Sequence, residues 1–340
     1  MLLEELGWNS FFANQSTTGT LGRVASINRE HFLVWSEQGE VEAKVSGDLR
    51  LNSSLWPAVG DWVVMEDSAP IILQVLERKT KVSRKRPGKD LREQVLAANI
   101  DVLLIVSGLD HDFNPRRIER YLVLANESGA QPVILLNKVD LCADPESMIA
   151  EIRQLSPATT VLALSALSGS GLDALPTLLA PGQTAALIGS SGVGKSTILN
   201  RLLAEEVQPT HPVRAADSRG RHTTTSRAMF VMPGGWLLVD MPGLRELEPW
   251  ADVQQVQDTF HDISALAQEC RFRDCTHTNE PGCAVKDANV DEGRMANYRK
   301  LHKEQAHLER MADPLLNKET RKRWNAIEKA VRHHPKRDMQ

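Results

Sequence analysis

The chain has 340 residues, 41% of them hydrophobic and 25% charged, with a formal net charge of −4. That is the composition of a globular chain long enough for two or three domains with real cores. It excludes a membrane-spanning helix, since no stretch approaches about 20 apolar residues. It also excludes a disulfide scaffold, because four cysteines are too few for one in a chain of this size. Residues 1–12 lack a basic segment leading into an apolar run, so a cytoplasmic protein is expected.

From residue 20 to about 76 the pattern is short and β-like, with candidate strands at 22–27, 31–35, 41–45, 61–65 and 71–76. Turn residues separate them at Asn28-Arg29, Gln38-Gly39 and Pro57 to Gly60, as hairpin-rich architecture requires. Five short strands suit a small barrel, and the pattern fits an oligonucleotide-binding fold and an SH3-like barrel equally. Residues 78–92 then carry eight Lys/Arg against the single acid Asp90, a basic linker suited either to solvation or to contact with a polyanion.

An α/β alternation follows. Residues 100–106 read as a buried strand, 115–128 as an amphipathic helix capped by Asn114 with Pro115 at its first position, and 132–136 as another buried strand. A helix at 145–155, a strand at 160–164, a helix at 172–179 and a strand at 184–188 continue the series. Repeats of this kind build a parallel sheet. The last strand leads into Gly189-Ser190-Ser191-Gly192-Val193-Gly194-Lys195-Ser196, with Thr197 next and a helix over 196–203. A Gly, four free positions and Gly-Lys-Ser between strand and helix is a phosphate loop. Its backbone NH groups and the helix N-terminus face phosphate oxygens. Lys195 is expected at the β and γ phosphates, and Ser196 on Mg²⁺.

Two further loops choose the base. Asn137-Lys138-Val139-Asp140 directly follows the strand at 132–136, at the sheet edge where open α/β folds bind ligands. A carboxylate at Asp140 can accept from both N1–H and the 2-amino group of guanine, which adenine cannot offer. Ser165-Ala166 follows the next strand and supplies a backbone NH for the guanine oxygen. Beyond the phosphate loop, two strands flank Pro233-Gly234-Gly235, and the second ends in Asp240-Met241-Pro242-Gly243. Asp240 and Gly243 fit the element that holds Mg²⁺ through water and senses the γ phosphate. The guanine-reading loops precede the phosphate loop, the reverse of the usual order in small GTPases, so the domain is circularly permuted.

Cys270, Cys275, His277 and Cys283 lie within fourteen positions of a polar segment. Three thiolates and an imidazole complete a tetrahedral Zn²⁺ shell with no open position, the signature of a structural site. Cys142 reads as a small buried residue. Residues 291–307 and 314–331 read as basic helices, and the stretch 294–340 carries thirteen Lys/Arg against six acids.

With a β-barrel, a permuted GTPase, the segment Gly220-Arg221-His222-Thr223-Thr224-Thr225 and the Cys/His cluster, the chain resembles the bacterial ribosome small subunit-dependent GTPase family, RsgA, over roughly residues 19–298. The resemblance implies four segments. These are an oligonucleotide-binding-fold barrel over 1–82 in contact with RNA, a basic linker over 83–91, a circularly permuted P-loop GTPase domain over 92–250, and a mainly helical zinc-binding domain over 251–340. It also implies GTP hydrolysis stimulated by the 30S subunit, contact with 16S rRNA, and a role in late small-subunit maturation. A monomer is expected.

Phosphoryl transfer needs positioning and charge neutralisation. Lys195, Ser196 and the threonines Thr224 or Thr225 would provide them, with one threonine closing over Mg²⁺. The position after the Asp-x-x-Gly element, where many GTPases place a glutamine, is Leu244, so unaided turnover should be slow. His222 is the candidate for orienting the attacking water, with contact to RNA as its other reading. Arg219 or Arg221 would neutralise charge. A GTP-dependent RNA-binding clamp with little stimulated hydrolysis, or a paralogue acting on another RNA partner, accounts for the same residues.

Overall fold

The computed structural model describes residues 1–15, 18–52, 55–85, 93–204, 227–241 and 253–312. Their contacts divide into two compact units, one built from 1–84 and 94–249, the other chiefly from 250–340.

A short helix α1 (Ser10–Ala13) precedes five barrel strands, β1 (Thr20–Asn28), β2 (His31–Ser36), β3 (Gly39–Val45), β4 (Trp62–Met65) and β5 (Ile71–Val75), with α2 (Gly47–Asn52) between β3 and β4. The strands pair in the order β1-β2-β3-β5-β4, and β4 closes back on β1. The pairing of β3 with β5 is parallel, Lys44 opposite Ile71. That non-sequential return is a Greek-key closure, which identifies the oligonucleotide-binding type of barrel over a simple meander. Alternation along the strands points Val24, Phe32, Val34, Ala43, Val63, Met65 and Ile72 inward as one buried cluster.

The stretch read as a basic linker begins as a strand. β6 (Lys81–Lys85) pairs with β7 (Glu93–Ala98) as a two-stranded ribbon, and residues 86–92 lie outside the described residues.

The α/β layer contains β8 (Val102–Gly108), α3 (Pro115–Ser128), β9 (Gln131–Asn137), α4 (Pro145–Leu155), β10 (Thr160–Ala163), β11 (Thr184–Ile188), α5 (Lys195–Ala204), β12 (Ala228–Val231) and β13 (Leu237–Asp240). The strand order is β10-β9-β8-β11-β13-β12. All neighbours are parallel except β12, which runs antiparallel to β13. β8 and β11 are buried along their whole length, as strands covered on both faces must be. α3 starts as its sequence dictates, the Asn114 side chain accepting from Arg117 N with Pro115 at the first position.

The helix expected at 172–179 is instead two 3₁₀ turns, Leu172–Ala174 and Pro176–Leu178. Pro176 has no N–H to donate to the preceding turn and clashes with a continuous helix, so the segment breaks there.

Barrel and α/β layer share one sheet through Ser26 of β1 opposite Ala228 of β12. A buried arginine ties them. Arg23 donates from Nε to Gly60 O at 3.2 Å, from Nη2 to Asn99 O at 2.9 Å, and from Nη1 to Leu6 O. Burial lowers its pKa to about 10, against the opposing pull of Asp101 and Asp61. Three carbonyl partners make such a buried cation tolerable.

The second unit contains α6 (Val253–Thr259), α7 (His261–Gln268), α8 (Ala284–Asp287) and α9 (Glu292–Ala312). Val256, Phe260, Ile263, Val285, Met295, Tyr298 and Leu301 are among the buried apolar residues described in it. The basic helix expected at 291–307 is α9, and the one expected at 314–331 lies outside the described residues. Among the described residues no helix is long and apolar enough to cross a membrane.

Candidate functional site: a guanine-nucleotide edge and a Cys/His cluster

The carboxyl ends of β8, β9, β10, β11 and β13 all open on one edge of the parallel sheet, because parallel strands share a direction. The loops at that edge carry the motif residues. β11 runs into Gly189 and then α5, so Gly189 to Lys195 spans the turn between strand and helix. Two of its glycines are required by contact. A Cβ on Gly189 would stand 2.3 Å from Val106 O, and one on Gly194 would stand 2.2 Å from the Asn137 amide nitrogen, both at positive φ. Ser191, Gly192, Ser196 and Thr197 are exposed, Ser190 and Lys195 are half-buried, and Val193 is buried.

Asn137, at the end of β9, is 2% exposed and joins three loops. Its Nδ2 donates to Val193 O in the phosphate loop at 2.8 Å, and its Oδ1 accepts from Ala166 N at 2.9 Å. Ser165 in turn accepts from Ser168 N at its hydroxyl and from Gly169 N at its carbonyl, which curls the Ser165-Ala166 loop tightly. Lys138 adopts the left-handed conformation at φ 66°, and Asp140 two positions on is exposed. The structure therefore assembles Asn137, Lys138, Asp140, Ser165, Ala166 and the phosphate loop along one edge, in the permuted order.

Lys195 folds over its own loop, its Nζ donating to Gly189 O at 2.7 Å and Ser190 O at 2.8 Å. Burial lowers its pKa, opposed by the charge of Asp240. Burial likewise raises Asp240, opposed by Lys195. An amine hydrogen-bonded to carbonyls beside a buried carboxylate at a strand end is poised for a polyanion and a cation together. His222, Thr224, Thr225 and Gly243, with Arg219, Arg221 and Leu244, lie outside the described residues.

The loop between β8 and α3 carries residues that motif reading passed over. Asp110 Oδ2 accepts from Lys138 Nζ at 2.6 Å. Asp112 Oδ2 accepts from Arg117 Nη1 at 2.6 Å and from Ser190 Oγ at 2.9 Å, while the same arginine nitrogen donates to Ser190 Oγ at 2.7 Å. The Lys138 hydrogen bond holds Asp110 below the usual carboxylate range, and the Arg117 hydrogen bond does the same for Asp112. The available signal was positional. Both acids sit at the carboxyl end of a buried strand, the rule that singled out Asn137.

In the second unit the donor atoms of Cys270, Cys275, His277 and Cys283 lie within 4.8 Å of one another. Cys270 Sγ is 3.6 Å and Cys283 Sγ 3.5 Å from His277 Nδ1, and the two sulfurs are 3.9 Å apart. A tetrahedron drawn with Zn–S and Zn–N bonds of ordinary length has edges of about 3.5 to 3.8 Å. The residues therefore fit one tetrahedral ion. Glu280 organises the turn between two of them, accepting from Thr276 N at 2.9 Å, Thr278 N at 2.8 Å and Asn279 N at 3.0 Å. With the Thr276 hydroxyl added, these donors hold Glu280 far below the usual carboxylate range. Arg299 of α9 donates to His277 O.

A family profile described as RsgA GTPase matches residues 75–250. The chain is 45% identical to the small ribosomal subunit biogenesis GTPase RsgA of Opitutus terrae, covering 96% of both chains. It is 41% identical to RsgA 1 of Listeria innocua, covering 99% of both. Among solved structures it is similar to YjeQ from Thermotoga maritima, with TM-score 0.63 and 27% identity over 84% of this chain and 98% of that one. YloQ, described as a circularly permuted GTPase, agrees in fold with TM-score 0.60 at 24% identity, over 86% of this chain and 97% of that one.

Proposed function

The chain belongs to the RsgA GTPase family, and from that premise we propose that it hydrolyses GTP on the 30S ribosomal subunit, coupling turnover to late small-subunit maturation and to its own release. The observation that carries the reading is the Asn137 side chain, which bonds the guanine-reading, Ser165-Ala166 and phosphate loops together at one edge. Asp140 reads N1–H and the 2-amino group of guanine. The Ser165-Ala166 loop, tied to Asn137 through Ala166 N, lines the side of the base oxygen, and the stem of Lys138 covers the ring. Leaving the Asp140 charge unpaired disfavours adenine.

On nucleotide binding Lys195 exchanges its loop carbonyls for β and γ phosphate oxygens. The exposed Ser196 and the buried Asp240 would hold Mg²⁺, which supplies neutralisation of the charge that develops on the phosphates. Thr224 or Thr225 would close over Mg²⁺, Gly243 senses the γ phosphate, and His222 orients water at the position Leu244 cannot serve. The Cys/His cluster holds one structural Zn²⁺, since four protein ligands leave no position for substrate. The barrel and the basic C-terminal stretch contact 16S rRNA phosphates, and the protein works in the cytoplasm.

Steady-state turnover of GTP, with and without 30S subunits and with ATP as control, tests this. Strong stimulation confined to GTP is expected. Leu244 favours a second reading, a GTP-dependent RNA clamp. That reading takes over if GTP promotes binding to the subunit while turnover stays at its unaided rate.

A further inference from the structure

The loop that joins β8 to α3 belongs to none of the recognised nucleotide motifs, yet its two acids reach the guanine-reading loop and the phosphate loop. Asp110 grips Lys138 at 2.6 Å, and Asp112 grips Ser190 at 2.9 Å with Arg117 as a common donor. We infer that Asp110 is a positioning residue for nucleotide binding. Its carboxylate fixes the Lys138 side chain, so that the lysine stem is set across the base before nucleotide arrives. The inference rests on reading this edge as a guanine-nucleotide site.

Lys138 needs an external hold because of its backbone. At φ 66° it stands in the left-handed region, where a non-glycine residue persists only if its surroundings over-determine it. Its side chain is long and flexible, with rotamer entropy to lose on ordering. The Asp110 pair removes that freedom in advance, since the Lys138 and Asp110 side chains are only 25% and 11% exposed. Little solvent screens a pair so placed. A pre-ordered lysine spares the nucleotide the ordering cost, which is how preorganisation raises affinity. Asp110 is itself anchored. It accepts from Asp112 N at 3.1 Å through Oδ1, the oxygen not used by Lys138. One carboxylate thus links the lysine to the backbone of the loop that holds Ser190.

The geometry also separates Asp110 from the chemical step. Its partner Lys138 belongs to the base-reading loop, whereas Lys195 and Ser196, the residues read as meeting the phosphates, open α5. Loss of Asp110 should therefore appear in nucleotide affinity and in KM, with the rate at saturating GTP much less affected.

The test is a double-mutant cycle in the full-length protein, using a fluorescent GDP analogue to read Kd and dissociation rate. Asp110→Ala is expected to raise Kd about tenfold, the scale of one charge-assisted hydrogen bond, chiefly through faster dissociation. Lys138→Met should weaken binding at least as much. The double variant should be no weaker than Lys138→Met alone, because the carboxylate acts through the lysine. A purely structural role for Asp110 would instead add its loss to that of Lys138→Met, and that outcome overturns the inference. So does unchanged Kd in Asp110→Ala. Should the alanine variant fail to fold by circular dichroism, Asp110→Asn decides: it keeps the shape and the oxygen while removing the charge, and wild-type affinity there is equally fatal. No subunit enters the assay, so a failure of ribosomal stimulation leaves this result standing. Failure of the wild-type protein to bind the analogue would instead remove the nucleotide reading itself.

Discussion

Asn137→Ala tests the joint on which the nucleotide edge depends. The side chain is 2% exposed, donates to Val193 O at 2.8 Å and accepts from Ala166 N at 2.9 Å. Truncation leaves that carbonyl and that NH without their partner, and each abandoned buried group costs about 1–3 kcal/mol. The loops lie at a sheet edge that water can enter, which places the expected loss near the lower half of the combined range, about 2–4 kcal/mol. In a unit of this size 1 kcal/mol corresponds to roughly 2–4 °C in melting temperature. The nucleotide-free protein should therefore melt about 5–15 °C below wild type, and GDP affinity by titration calorimetry should fall at least tenfold. Asn137→Asp separates the two bonds. It still accepts from Ala166 N but sets a carboxylate against Val193 O, so it should bind GDP no better than the alanine variant. An alanine variant that melted within a degree of wild type and bound GDP normally would show that the three loops hold together without Asn137, and the reasoning would fail.

His222→Ala should lower 30S-stimulated turnover about a hundredfold or more, the usual scale for a lost acid–base or water-orienting group, with GTP affinity kept. Full stimulated turnover in a folded variant would return His222 to the role of an RNA contact. Lys195 has a lowered pKa in the free protein because burial disfavours its charge, and phosphates would raise it again. The bound state then holds the proton more tightly. GDP affinity should be flat while Lys195 is fully protonated in the free protein and fall as pH rises through the free-protein value, with proton uptake seen by calorimetry in buffers of different ionisation enthalpy. An alkaline profile without uptake contradicts this. Removing the metal with a chelator, or replacing Cys283 by Ser, should release one equivalent of Zn²⁺ by elemental analysis and lower the thermal stability of the second unit. GDP binding should survive, because the nucleotide edge draws on none of these residues; a metal content of zero in the purified wild-type protein would refute the assignment.

The fold was legible wherever local chemistry and tertiary packing agree. Asn114-Pro115 announces α3, and the apolar runs at β8, β9 and β11 announce a sheet covered on both faces. Closure of the barrel was not legible, because β3 meets β5 by a parallel pairing between strands separated by β4, and no local pattern encodes a non-sequential neighbour. The segment 172–179 misled because its leucines recur at helical spacing while Pro176 breaks the ladder. At the site, Asn137 is legible as part of the guanine-reading loop, but not the partners on which its amide is spent, Val193 and Ala166. That role needs residues 29 and 56 positions away, a separation that motif spacing does not carry. Asp110 and Asp112 were missed for the same reason, as their partners come from other loops.

These long-range partners explain why permutation leaves the site intact. Among the described residues, Asn137, Ser165, Gly189 and Asp240 stand at the carboxyl ends of parallel strands, and Asn137 joins the loops through space, so the order in which the chain visits the strands does not enter their geometry. Permutation changes the destination of the chain beyond its last strand. β13 ends at Asp240, and the next described helix, α6, opens at Val253 in the other unit. The segment expected to sense the γ phosphate is thus the covalent connection to the zinc-cluster unit.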